Sequence, residues 1–216
     1  MITQQRIVTE KTDARKKFGR FKPDPPKQVR RARVERNNAV EQITDAVKEL
    51  DAHIVRKSSD VARGRDKGRL VDMIYEKAAE LAAGIECNAN DITAFSLTMH
   101  ENEKEMFFAT SAGMVISALI NKSKDQDHLI HAEFLTGAIA FVGYRNTKNI
   151  TIEGKCNFIG YEMTAGKIIV NGNAMSRIGR EMKGGEIHIM GAYTSLDDDI
   201  KGGKIFHNGR LVWPDY

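Results

Sequence analysis

The sequence predicts an α+β protein in which a helical and hairpin region precedes a short right-handed parallel β-helix. Three observations carry this. Apolar residues recur first at helical spacing, then approach alternation, and from Ile150 onward the chain repeats itself every 18 to 19 residues with glycine at fixed places. The 216 residues, 41% hydrophobic, suffice for the core of one domain or of two small ones. The expected organisation is a basic arm over 1–36, the helical and hairpin region over 37–147, and the β-helix with a C-terminal cap over 148–216.

The arm is expected to be disordered. Pro23, Pro25 and Pro26 break helices there, and Lys16, Lys17, Arg30, Arg31 and Arg33 repel one another. Residues 1–37 hold twelve Lys and Arg against four Asp and Glu, a surplus of +8; since the whole chain carries +4, the remainder carries −4. A basic arm on a mildly acidic body suits an anionic partner, and Lys16, Lys17, Arg20, Arg30, Arg31 and Arg33 are the candidate contacts. Phe18 and Phe21 lie among these charges, a composition that can track phosphates and stack on bases. Docking on a protein, or simple solvation, is described equally well.

Order is expected from Asn38. Val40, Ile43, Val47, Leu50 and Ile54 form one helical stripe, with Asn37 or Asn38 as cap. A second helix is predicted over Asp66–Ala83, with Leu70, Ile74, Ala78 and Leu81 on one face and Gly84 as C-cap. The two should pack antiparallel across a basic connection holding Arg63, Gly64, Arg65, Lys67, Gly68 and Arg69. Beyond Asn90, Ile92, Ala94, Phe95, Leu97 and Met99 suggest a β-hairpin turning at His100–Glu105. Ser111 should cap a helix running through Asn121, a charged loop follows, and His131–Gly143 reads as strand.

The repeat is visible when the glycines are aligned. Ile152-Glu-Gly154, Ile169-Val-Asn-Gly172, His188-Ile-Met-Gly191 and Phe206-His-Asn-Gly209 follow one another at intervals of 18, 19 and 18 residues. Between them Phe158-Ile-Gly160-Tyr-Glu-Met163-Thr-Ala-Gly166 matches Arg177-Ile-Gly179-Arg-Glu-Met182-Lys-Gly-Gly185, and then Ser195-Leu-Asp197-Asp-Asp-Ile200-Lys-Gly-Gly203. A fixed period with glycine at the corners is what stacked coils of parallel strands need, because rungs about 4.8 Å apart leave no room for side chains there. Asp197 replaces one glycine, and because Asp tolerates the left-handed region the run Asp197 to Asp199 reads as a turn. The exposed edges of so short a stack need covers: Leu211–Pro214 at one end, and at the other His131–Gly143, a degenerate rung, or else a second copy of the chain.

This pattern over Lys148–Gly209 resembles the GXGXG β-helix shared by the C-terminal domain of glutamate synthase large subunits and by the β-helical component of formylmethanofuran dehydrogenase. In those families the β-helix is a non-catalytic structural element, while redox or metal chemistry sits elsewhere. The resemblance therefore implies a scaffold or subunit that docks on a larger redox or amide-transfer complex or self-associates. It transfers no catalytic residue.

No nucleophile, phosphate-loop or metalloprotease motif is present, so no catalytic, cofactor or metal residue is assigned. Cys87 and Cys156 stand alone and read as buried thiols. His128 and His131 have ligand spacing but no third ligand and read as surface or core histidines; His188 and His207 read as stacked, exposed imidazoles on adjacent rungs; Glu101, Glu103 and Glu105 read as solvated carboxylates near His100. An unrecognised enzyme site between the helices and the β-helix stays open as an alternative. The polar N-terminus and the short, interrupted apolar runs point to a cytoplasmic protein without a membrane partner.

Overall fold

The computed structural model describes residues 38–61 and 70–214. The arm 1–36, with Lys16, Lys17, Arg20, Arg30, Arg31 and Arg33, and the connection 62–69 lie outside the described residues. Helix α1 (Asn38–Val61) buries the anticipated stripe, with Val40, Ile43, Val47, Leu50 and Ile54 all at most 4% exposed. Helix α2 (Leu70–Ala83) buries Ile74, Ala78 and Ala82, while Leu70 and Leu81 are only partly covered. Gly84 follows it but is not left-handed. The last carbonyls are served instead from another helix, for Lys122 Nζ donates to Ala82 O at 2.7 Å and to Ala83 O at 3.3 Å.

The hairpin is overturned. Residues 89–98 form helix α3 (Ala89–Thr98), which runs into a 3₁₀ turn over Met99–Glu101. Ile92, Phe95 and Met99 share a helical face and are at most 1% exposed, so the helical spacing outweighed the near-alternation. The start is fixed by a capping box: Asn88 Oδ1 accepts from the Asn90 and Asp91 N–H groups, and Asp91 Oδ2 accepts from Asn88 N. Helix α4 (Phe108–Lys122) begins earlier than expected. Ser111 is buried inside it, and the N-cap is Phe107, which caps with no side chain but whose own N–H donates to Asp51 Oδ1 of α1 at 2.8 Å.

After the helices the chain winds into a β-solenoid of about four turns. One sheet contains β1 (Asp127–Ala132), β3 (Asn149–Gly154), β5 (Lys167–Asn171), β6 (Lys183–Ile189) and β7 (Gly202–His207), all parallel, and ends in antiparallel β8 (Arg210–Trp213). The second sheet pairs β2 (Ile139–Ala140) with β4 (Cys156–Asn157) and continues as the bridges Cys156 to Ala174 and Ala174 to Tyr193. The solenoid thus starts at Asp127: the degenerate rung over residues 131–143 is part of its first turn. Parallel register stacks His128, Ile150, Ile168, Ile187 and Ile205 in one inward column and Ile130, Ile152, Val170 and Ile189 in another, so each turn fills the same layer of core. This core is continuous with that of the helices.

Of the nine repeat glycines Gly154, Gly160, Gly166, Gly172, Gly179, Gly185, Gly191, Gly203 and Gly209, all but Gly172 and Gly191 have φ between 67° and 118°. Those two are small for a different reason: a Cβ on Gly172 would lie 2.0 Å from Gly154 O. At Gly160 a Cβ would also meet Ile187 Cδ1 at 2.5 Å, and at Gly179 it would meet Ile205 Cδ1 at 3.1 Å. Asp197 stands at the corresponding place in the last turn, where no later isoleucine follows. The expected turn is present at Asp198 and Asp199, but Asp197 itself is not left-handed: the demand for glycine ends with the column.

Each end of the long sheet carries a cover, and at the far end the cover is itself the outermost strand. At the front, α3 lies along β1: Thr93 Oγ1 donates to Leu129 O and Ser96 Oγ accepts from His131 N, each at 2.9 Å. Helix α4 backs β2 so closely that a Cβ on Gly113 would sit 1.7 Å from Ala140 O, and Ser117 Oγ donates to Phe141 O and accepts from Gly143 N. At the far end β8 covers β7, and Pro214, which has no N–H, follows. The helices therefore serve as the first cap and Leu211–Pro214 as the second.

Candidate functional site

The corner after the second sheet carries a polar ladder. Phe141, Gly143 and Arg145 all have positive φ, as do Phe158, Gly160 and Glu162, and Arg177, Gly179 and Glu181. Bulky side chains rarely adopt this conformation, and the stack holds them there. Phe141 stacks on Phe158 with centroids 4.9 Å apart, and Tyr144 on Tyr161 at 5.2 Å. Arg145 lies over Tyr75 and Tyr144, and its Nη2 and Nε each reach a carboxylate at 2.9 Å, those of Asp72 and Glu162 respectively. The Tyr144 hydroxyl donates to Asp72 Oδ1 at 2.6 Å, and burial first, then this bond, pushes its ionisation up. Helix α2 is thereby tied to the first two turns. This is the junction where an enzyme site was considered, and its charged groups are paired with one another.

The reading of His128 and His131 as core or surface residues holds, and that of His188 and His207 changes. His128 and His131 are three residues apart on one strand and face opposite sides of it, so they cannot share an ion. His128 is 4% exposed and points inward; burial, above all, lowers its pKa. His131 pairs with Glu133 at 2.8 Å. His188 and His207 do not stack: His188 is registered with Phe206 and stacks on it at 4.6 Å. His207 is one place out of step, its Nε2 3.0 Å from Gly191 O and its ring edge-on to Tyr193. Cys156 is buried and its thiol is pushed up to about 12 by burial; Cys87 is half-buried, and both are free thiols.

Glu103 is not a solvated carboxylate. Its Oε1 accepts from Thr136 N, Thr136 Oγ1 and Gly137 N at 2.6, 2.6 and 2.9 Å, and the bond from the Thr136 hydroxyl, foremost, holds the group below the usual carboxylate range. This latch pins the first loop of the solenoid to the helical cap. It stands at the upstream end of a groove of about 480 Å³ on the outside of the second sheet. Lys155, Asn173, Met175, Ala192, Tyr193 and Thr194 line the rest. Sequence reasoning passed over these residues because they occupy outward positions, where the stack imposes no repeat.

Among the described residues no group of three or more His, Cys, Asp or Glu could hold a metal ion, and no helix is long and apolar enough to cross a membrane. Set against known proteins, the chain matches no family model, no curated protein and no solved structure.

Proposed function

We propose that the chain is a non-catalytic assembly protein of the cytoplasm, whose solenoid is right-handed and of the GXGXG kind. It docks through its side faces on a larger redox or amide-transfer complex, or on further copies of itself. One observation carries the reading: α3 covers the β1 edge and the short antiparallel β8 is laid along β7, so parallel stacking stops at both ends and the stacked sides are left for association. The repeat that resembles the structural β-helices of those complexes supports the same reading.

The test is an affinity pull-down from native lysate with nuclease treatment, using the full chain and a version starting at Asn37. Stoichiometric protein partners retained by both, flavin, iron–sulfur or molybdenum and tungsten proteins foremost, are the expected result. Retention of nuclease-sensitive material alone, only with the arm and steeply weakened by salt, would replace the reading with nucleic-acid binding through residues 6–36, which the +8 surplus over residues 1–37 favours.

A further inference from the structure

We propose that the groove on the outer face of the second sheet receives an extended segment of a partner protein that presents one acidic side chain among apolar ones. The proposal rests on the docking reading above and adds where the partner sits and what it offers.

Shape comes first. The register that stacks Ile139, Cys156, Ala174 and Tyr193 places Ala138, Lys155, Asn173 and Ala192 on the outside of successive turns. Three steps of about 4.8 Å span roughly 14 Å, the length of about four residues of extended chain. Alanines at both ends of this row and Gly137 beside it keep the floor low. Its volume of about 480 Å³ falls within the range of recognised ligand clefts.

Charge complementarity chooses the occupant. Lys155 is the one charged residue lining the groove; it is exposed and forms no ion pair with any described residue. The remaining polar groups are neutral, and Asn173 Oδ1 is taken by the Ala192 N–H, which leaves the Asn173 NH₂ as a donor. A single anionic group on an otherwise apolar segment matches this lining.

One exposed apolar side chain lines the groove, and two more precede its lining residues in the chain. Met175, 46% exposed, lines the groove; Met190, 44% exposed, leads into the corner before Ala192; Phe134, 36% exposed, precedes the Thr136–Gly137 end. These are three of the six large apolar side chains exposed among the described residues. Flexible methionine rims suit a partner of irregular shape.

The experiment uses the full chain with ¹³C-methyl methionine and two probes, acetyl-Ala-Leu-Asp-Leu-Ala-amide and its Asn counterpart. The expected result is a saturable shift of the Met175 methyl with the Asp peptide, no shift at Met73 on α2, and affinity about threefold to fivefold weaker for the Asn peptide, as befits one solvent-screened pair. Lys155→Glu, at an exposed position, turns attraction into repulsion and should weaken binding of the Asp peptide by about tenfold. An unmoved Met175, equal shifts at Met175 and Met73, or equal affinity for the two peptides would overturn the proposal. If the peptide fails while the pull-down keeps stoichiometric partners with both the unaltered chain and the Lys155→Glu variant, docking stands and this groove falls; if no partner is retained, the docking reading falls.

Discussion

Replacing His128 with isoleucine should stabilise the protein and remove part of its sensitivity to acid. His128 heads an inward column whose other members, Ile150, Ile168, Ile187 and Ile205, are all at most 1% exposed. Its Nε2 lies 3.2 Å from Asp125 O, while the buried Nδ1 has no hydrogen-bond partner. An orphaned buried polar atom costs about 1–3 kcal/mol, and the bond that would be lost is worth about 0.5–1.5 kcal/mol, so a net gain near 1 kcal/mol is expected at neutral pH. For a unit of this size that is a rise in Tm of about 2–4 °C. The pH dependence follows from the same burial. Desolvation, and after it Lys148, lower the pKa of His128, outweighing the hydrogen bond to Asp125 and the charges of Asp125 and Asp127. The unfolded chain takes up its proton near about pH 6.5 and the folded chain only below that, so the titration of this histidine adds no cost at high pH and destabilises the fold further as pH falls below about 6.5. The advantage of His128→Ile should therefore widen from pH 8 to pH 5. Urea titrations of both proteins at four pH values across that range read it directly, and His53, also lowered by burial, is present in both and cancels. An advantage that stays flat with pH, or a variant less stable throughout, would refute the reasoning.

Four further outcomes follow from the structure. Gly113→Ala would place a Cβ 1.7 Å from Ala140 O and 2.8 Å from Ala140 C, main-chain atoms that cannot yield, and should cost at least about 3 kcal/mol by forcing α4 off β2. Gly84→Ala, with open space and no left-handed φ, should gain up to about 1 kcal/mol, so thermal melts of the two must diverge in sign. A double-mutant cycle of Arg145→Met with Glu162→Gln should report a coupling of about 1 kcal/mol that shrinks in high salt, since Arg145 is 41% exposed; zero coupling would deny the corner ladder a role in holding the turns in register. Glu103→Gln should speed proteolysis of the loop at residues 133–138 at neutral pH. Because the folded carboxyl titrates below its unfolded value, the latch holds above about pH 4.3 and fails as pH falls through the folded value; there the variant and the parent should converge.

The solenoid was legible because stacking asks the same thing of every turn. Gly160 and Gly179 both sit where a Cβ would press on an isoleucine of the next layer, so the demand recurs in sequence at the period of the coil. Its first turn was only half visible. Phe141-Val-Gly-Tyr-Arg145 parallels Phe158-Ile-Gly-Tyr-Glu162, yet it lies among residues answering to α4 rather than to another rung. Helix α3 was misread because Ile92, Phe95 and Met99 lie within a run that also nearly alternates, and the Asn88–Asp91 capping box that decides the matter is four residues of ordinary polarity. The groove gave no signal at all, since Lys155, Met175 and Ala192 point outward, where neighbouring turns leave the side chain free. The edge covers are a different case. Thr93, Ser96, Gly113 and Ser117 all meet the backbone of the first turn, and no periodicity can announce them, because an edge occurs once where a rung occurs many times. A repeat thus reveals its interior and conceals its ends.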